Sequence, residues 1–185
     1  MRLRDIPNII SAIRIVLVVP VVLLILQEDY SLALLIFIIA GVSDGVDGFL
    51  AKHFHWQSRL GSILDPIADK LLIVSSYAAV TWMGLIPFWL WLTVLLRDVI
   101  IVVGGLAYHR FVGKFEMAPS LVSKFNTVMQ IVLLMAVLGA PLTQMPTWLL
   151  DGLVMLTLLT VILSGLDYVS VWGRKALYSI KKEKN

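Results

Sequence analysis

Six long apolar runs constrain this chain more than any other feature, at roughly residues 9–26, 31–51, 62–84, 87–109, 119–140 and 147–171. Each holds about 20 residues, the length a helix needs to cross the hydrocarbon core of a bilayer. The expected fold class is therefore all-α, a polytopic membrane protein with six transmembrane helices in one bundle. Composition agrees, with 59% hydrophobic residues, only 15% charged ones and a mean hydropathy of +0.93. The breaks contain Gln27-Glu28-Asp29, a polar stretch with His53, His55 and Gln57, Gly84 to Pro87, Gly113 to Pro119, and Pro141 to Pro146. These connections are short, and neither a repeat nor a low-complexity tract interrupts them, so residues 1–185 read as a single membrane domain. Residues 1–8, MRLRDIPN, read as an interfacial lead-in in which Pro7 suits a helix start. Residues 175–185 read as a basic cytoplasmic tail. Arg14 interrupts the first run and no small-residue cleavage site follows it, so that run is expected to stay as a membrane helix. Without cysteine, disulfides and thiolate metal sites are excluded.

The basic residues are placed unevenly. Arg2, Arg4 and Arg14 belong to the N-terminal side, Lys52 and Arg59 to the second connection, and Arg110, Lys114 and Lys124 to the fourth or its edge. Arg174, Lys175, Lys181, Lys182 and Lys184 close the chain, while the first, third and fifth connections carry no Lys or Arg. By the positive-inside rule both termini are cytoplasmic and the protein is a multi-pass component of the inner, cytoplasmic membrane. The pI of about 9.3 is thus accounted for by topology and anionic headgroups, with no nucleic-acid partner expected. Trp82, Trp89, Trp91 and Trp148 fall near helix ends on the opposite side, as interfacial anchors do.

Against this background the segment 43–70, SDGVDGFLAKHFHWQSRLGSILDPIADK, is anomalous. It carries Asp44, Asp47, Asp65 and Asp69 between apolar runs, where ionisable groups are costly and mark function. Spacings of three and four put each pair on one face of a helix. The residues between the pairs, which include Gly48, His53, His55, Gln57 and Gly61, read as a helix end, a short polar connection and a new helix start. Two antiparallel helices would then direct four carboxylates to one point. Like charges so close raise each other's pKa unless a counter-charge intervenes. Two divalent cations, Mg²⁺ or Mn²⁺, suit an all-carboxylate site and commonly share substrate phosphates. His53 and His55 read as interfacial residues, since the carboxylates already complete a hard-metal set.

Written as a pattern, D-x2-D-G-x2-A-K-x8-G-x3-D-x3-D from Asp44 to Asp69 resembles the signature of the CDP-alcohol phosphotransferase family of integral membrane enzymes. That signature usually has Arg where this chain has Lys52, a change that keeps the charge but loses the bidentate fork. The resemblance implies that an alcohol attacks the phosphorus next to the diacylglycerol of a CDP-linked lipid and that CMP leaves. It implies metal ligation by Asp44, Asp47, Asp65 and Asp69, with Asp69 also taking the proton of the incoming hydroxyl. By the same resemblance Gly48, Ala51, Lys52, Ser58 and Gly61, with Asn8, Ser11 and Arg14 of the first helix, bind the CDP-lipid. A homodimer is also in keeping with the family.

The acceptor alcohol is read from the later segments. LGSILDPIADK, LLRDVIIV, SLVSKFNTVMQ and WGRK look like cardiolipin synthases of the eukaryotic type, in which phosphatidylglycerol is the acceptor. Phosphatidylglycerophosphate synthases tend to carry a second basic residue where this chain has Asn126. Glycerol 3-phosphate presents a dianion that rewards extra cations, whereas phosphatidylglycerol has no phosphomonoester and a neutral Asn suffices. Acceptor-binding candidates are Arg97, Arg110, Lys114, Ser123, Lys124 and Asn126, and the alternative acceptor is glycerol 3-phosphate. Arg97-Asp98 reads equally as a buried ion pair, although adjacent residues diverge by about 100° on a helix, so that at least one is expected to pair elsewhere. Asp167 reads as a hydrogen-bonded interior residue. A small cation- or proton-coupled transporter is the competing class. The acids gather at one membrane face and no inverted repeat is visible, which favours the enzyme. Prenyl-type transferases also set aspartate pairs around Mg²⁺, but with denser and more widely separated acidic motifs.

Overall fold

The structure, a computed structural model, describes residues 6–54, 56, 61–111 and 120–183. Among them the chain is all-helical, with α1 Ile6–Leu26, α2 Tyr30–His53, α3 Gly61–Trp82, α4 Phe88–Phe111, α5 Leu121–Thr143 and α6 Thr147–Glu183. Five of these, all but α3, are long and apolar enough to cross a membrane. The early turns of α3 carry Asp65, Asp69 and Lys70, which dilute its apolar run. The chain is a multi-pass membrane protein.

The ends of these helices are written into the local sequence. Asp29 caps α2 by accepting the Leu32 N–H at 3.2 Å, and Ser120 caps α5 by accepting the Ser123 N–H at 3.2 Å. α1 closes with Glu28 at φ 63°, where the Asp29 N–H reaches back to the Leu24 carbonyl at 2.9 Å. α3 closes the same way at Gly84, φ 73°, with the Leu85 N–H donating to the Val80 carbonyl at 2.9 Å. Gln144, φ 50°, ends α5. The three connections without Lys or Arg are thus all tight left-handed turns.

Three boundaries differ from the sequence reading. α1 begins at Ile6, so the last three residues of the expected lead-in are helical. α2 runs through Gly48 to His53, in keeping with the apolar run over 31–51, because a single glycine costs a helix only about 1 kcal/mol and breaking the ladder at membrane depth costs more. Pro141 lies inside the last turn of α5, two residues before the helix ends at Thr143. α6 continues for 37 residues, so Arg174, Lys175, Lys181 and Lys182 ride on helix where a tail was expected.

Two compact units result, Met1–Ile86 with Leu134–Pro146, and Pro87–Leu133 with Thr147–Asn185. In the first, α1 packs along both α2 and α3, which touch each other far less. Ala33, Phe37 and Ala40 bury one face of α2, and Ala68, Leu72, Ser76 and Val80 one face of α3. Small residues there allow the close approach on which membrane helices depend. In the second unit α4 packs on α6, around Leu90, Val94, Val154 and Val161. Exposed aliphatic side chains such as Val16, Leu23, Ile39, Val102 and Leu159 cover the outside, as expected of surfaces facing lipid.

Candidate active site

At one end of the first unit, α1 supplies a centre for the acidic segment. Ser11 and Arg14, three residues apart on one helical face, are both fully buried. Arg14 Nη1 donates to Asp44 Oδ1 at 2.6 Å and to Asp69 Oδ1 at 2.6 Å, and Nη2 donates to Asp47 Oδ2 at 2.7 Å. The Ser11 hydroxyl bonds Asp65, and also lies 3.5 Å from Asp47 Oδ2 and 2.9 Å from the Pro7 carbonyl. All four aspartates therefore meet on α1, two from the last turns of α2 and two from the first turns of α3. A buried guanidinium needs such partners, since stripping water from it costs several kcal/mol.

The cluster is unevenly buried. Asp47 is sealed, with 2% of its side chain accessible, whereas Asp44 and Asp69 each keep 41%. Buried Asp47 Oδ1 has no hydrogen-bond partner among the described residues, and neither has Arg14 Nε. Among those residues no three acidic or imidazole side chains form a ready-made metal cage, because the carboxylates close on the guanidinium. Beside the cluster lies a groove of about 500 Å³ whose lining is aliphatic except for Ser43. Ile10, Ile13 and Leu17 of α1 form one wall, Val42, Ser43 and Val46 much of the other. These residues bracket Ser11, Arg14 and Asp44 in sequence, and Val46 adjoins Asp47.

Of the other CDP-lipid candidates, Asn8 lies one turn before Ser11 on α1, and Gly61 is buried at the start of α3. Gly48 faces open space, with nothing within 4 Å of where a Cβ would stand. Ala51 and Lys52 fall in α2 with side chains outside the described residues, and Ser58 lies outside them altogether. His53 stacks on Phe49 at 5.4 Å and meets Phe54 edge-on at 4.9 Å, an aromatic interfacial setting.

The second unit holds its own buried polar cluster. Arg97 Nη1 donates to Asp98 Oδ1 at 2.7 Å, so the adjacent pair do meet despite their divergence on the helix. Arg97 reaches elsewhere too. Nη2 donates to Ser123 and Ser164 at 2.5 Å each, Nε lies 3.2 Å from Ser164 Oγ, and the Tyr168 ring centre is 5.7 Å away. Asn126, fully buried, accepts from Thr160 at 3.0 Å while its Nδ2 has no partner among the described residues. Ser123 and Asn126 thus face inwards and Lys124 is exposed. The side chain of Arg110, and Lys114 entirely, lie outside the described residues. Asp167 is half-buried. Sequence reading missed Ser164 and Thr160. Their signal was a polar residue every fourth position in the last apolar run.

Comparison with known proteins shows what the chain as a whole is similar to. A family model described as CDP-alcohol phosphatidyltransferase matches residues 4–169. A human cardiolipin synthase (CMP-forming) is 35% identical over 193 residues, covering 95% of this chain and 64% of its own. A Streptomyces coelicolor cardiolipin synthase (CMP-forming) is 38% identical over 118 residues, covering 60% of this chain and 55% of its own. A CDP-diacylglycerol--glycerol-3-phosphate 3-phosphatidyltransferase of Aquifex aeolicus is 29% identical over 169 residues, covering 89% and 93%. The chain therefore spans a little under two thirds of the human relative's length and nearly all of the Aquifex one's. With the family model running from the first helix into the last and the four aspartates of the motif gathered on α1, the chain belongs to the CDP-alcohol phosphatidyltransferase family.

Proposed function

We propose that this protein transfers the phosphatidyl group of CDP-diacylglycerol to phosphatidylglycerol, forming cardiolipin and releasing CMP. The observation that carries the reading is the convergence of Asp44, Asp47, Asp65 and Asp69 on Ser11 and Arg14 at one end of a membrane-embedded unit. The basic residues of the second and fourth connections support a cytoplasmic location for that end, in the inner membrane.

The donor set fits Mg²⁺ or Mn²⁺. It is all carboxylate, it carries more negative charge than Arg14 offsets, and it includes the orphaned Asp47 Oδ1. Asp44, Asp47, Asp65 and Asp69 would hold two such ions, which when bound neutralise the diphosphate and stabilise the departing CMP. The chain's own residues do the rest. Asp69, partly open to solvent, accepts the proton of the attacking hydroxyl. That oxygen bonds to the phosphorus beside diacylglycerol as the bond to CMP breaks. Ser11, Asn8 and Lys52 bind the nucleotide's polar groups, and Gly48 leaves its backbone open to approach. The aliphatic groove beside Ser11 and Asp44 takes an acyl chain of the CDP-lipid, because its lining continues directly from the residues that hold the head.

Acceptor choice is assigned to the second unit. Arg110, Lys114 and the exposed Lys124 supply donors for a lipid phosphodiester, Arg97 positions α5 through its bonds to Asp98, Ser123 and Ser164, and Asn126 offers one neutral amide where an acceptor monoester would reward a cation. The Aquifex relative's name favours glycerol 3-phosphate as the second reading. Purified protein in detergent micelles, given CDP-diacylglycerol and Mg²⁺ with either alcohol, decides between them. Cardiolipin and CMP from the phosphatidylglycerol tube support the first reading, phosphatidylglycerophosphate from the other the second. A protein that releases CMP in neither tube lacks the proposed acceptors.

A further inference from the structure

Arg14 does more in this structure than line a nucleotide pocket. Its guanidinium is fully buried, and its two terminal nitrogens take one oxygen each from Asp44, Asp47 and Asp69, bridging α2 and α3 through α1. Those are oxygens that a divalent cation would need. One orphaned carboxylate oxygen, Asp47 Oδ1, remains in the sealed part of the cluster, and Arg14 Nε has no partner there. A guanidinium kept for purely structural reasons at such depth would be expected to have its donors satisfied. Among the described residues this one is held only by groups that another cation can claim.

We propose that Arg14 is a built-in counter-cation, which keeps the acidic cluster together before metal arrives, yields its carboxylate oxygens when a divalent ion binds, and then forks onto the diphosphate of the CDP-lipid. The proposal rests on the metal-dependent reading given above. Its physical basis is exchange of like for like. Four carboxylates gathered without a cation repel one another strongly, and one guanidinium relieves that for three of them. A divalent ion at the same oxygens relieves it better, and the guanidinium, still on the same rigid helix face one turn from Ser11, is left beside the place where the substrate's own anionic group arrives. Arginine suits the second task because its planar fork matches phosphate oxygens two at a time. Metal and guanidinium thus compete for the free protein, and the lipid diphosphate relieves the competition.

The test is Mn²⁺ binding to the purified full chain in detergent micelles without lipid substrate, followed by the electron paramagnetic resonance signal of free Mn²⁺. Arg14→Gln is expected to bind Mn²⁺ about tenfold more tightly than the native chain, the size of one charge-assisted hydrogen bond no longer to be broken. Arg14→Lys, which keeps the charge but cannot fork, is expected to bind about threefold more tightly, and it carries the test if the glutamine variant does not fold. CDP added to the native chain should tighten Mn²⁺ binding, and by a smaller factor in Arg14→Lys. Unchanged or weaker Mn²⁺ binding in the variants overturns the counter-cation role while leaving the metal reading standing. No Mn²⁺ bound by the native chain, with or without CDP, overturns the metal reading and the inference with it.

Discussion

Each unit of this protein buries an arginine against aspartate, and the two arrangements are opposites. Around Arg14 there are four aspartates for one guanidinium, with two of the acids 41% accessible and one oxygen of a third orphaned. Around Arg97 there is one aspartate, and two serine hydroxyls and a tyrosine ring take up the rest of the guanidinium, which is only 6% exposed. The first cluster is unbalanced and half open, which is why the metal ions and the CDP-lipid head are assigned to it under the proposed function. The second is balanced and closed, so it holds α4, α5 and α6 in register and sets the face on which Asn126 stands. Burial of charge therefore does not by itself mark a reactive site. Imbalance of charge together with access is what sets the proposed reactive cluster apart from the structural one.

The largest effect that would break this comparison is on rate. Asp69→Asn should lower turnover by about 10²–10⁴-fold, the usual contribution of a positioned base, while CDP-diacylglycerol binding stays within a few-fold of native. Native turnover in that variant would remove the reactive role from the first cluster. Next in size is stability. Arg97→Met deprives the buried Asp98 of its guanidinium and should cost about 3–5 kcal/mol, read as a fall in thermal midpoint in detergent that Mn²⁺ does not restore. Recovery on adding Mn²⁺ would mean that the second cluster is not the self-contained one described.

Smaller still is selectivity. Asn126→Lys puts a cation beside the fully buried Asn126 position and should move acceptor preference towards glycerol 3-phosphate by about tenfold, measured as the ratio of kcat/KM for the two alcohols. An unchanged ratio would take acceptor choice away from this residue. The smallest change is expected outside both clusters. Gly84→Ala meets no atom within 4 Å but must adopt φ 73°, and should cost about 1 kcal/mol with activity unaltered below the midpoint. A larger cost would show that the turn after α3 helps to hold the first cluster's helices.

Much of this was legible beforehand. Six apolar runs became six helices, and Asp44/Asp47 and Asp65/Asp69 do share faces of α2 and α3, because spacing within one helix follows from 3.6 residues per turn. The role of Arg14 was harder to see. In the sequence it reads as an interruption of the first run and a weak relative of a nucleotide-binding face. Its partners lie 30 to 55 residues away, beyond the reach of periodicity. One physical clue was available, since a lone cation in an apolar run must find acids, and the acids were known. Lys124 shows another limit of reading by proximity. It was grouped with Ser123 and Asn126 by proximity, yet one step along a helix turns a side chain by about 100°, and α5 carries it outwards.

By itself the sequence determined the membrane class, the helical elements, the breaks at Gln27-Glu28-Asp29 and at Gly84 to Pro87, and the acidic motif with its family resemblance. These depend on hydrophobic length, local backbone preference and residue spacing, all of which are properties of short stretches. Only the tertiary structure decided that α1 stands between the two acidic helices, that one guanidinium binds three carboxylates, and that Arg97 satisfies Asp98 and two distant serines at once. Those outcomes depend on which helix faces meet, and a face that can bury itself against several others is assigned only when all the buried charges must be paired together.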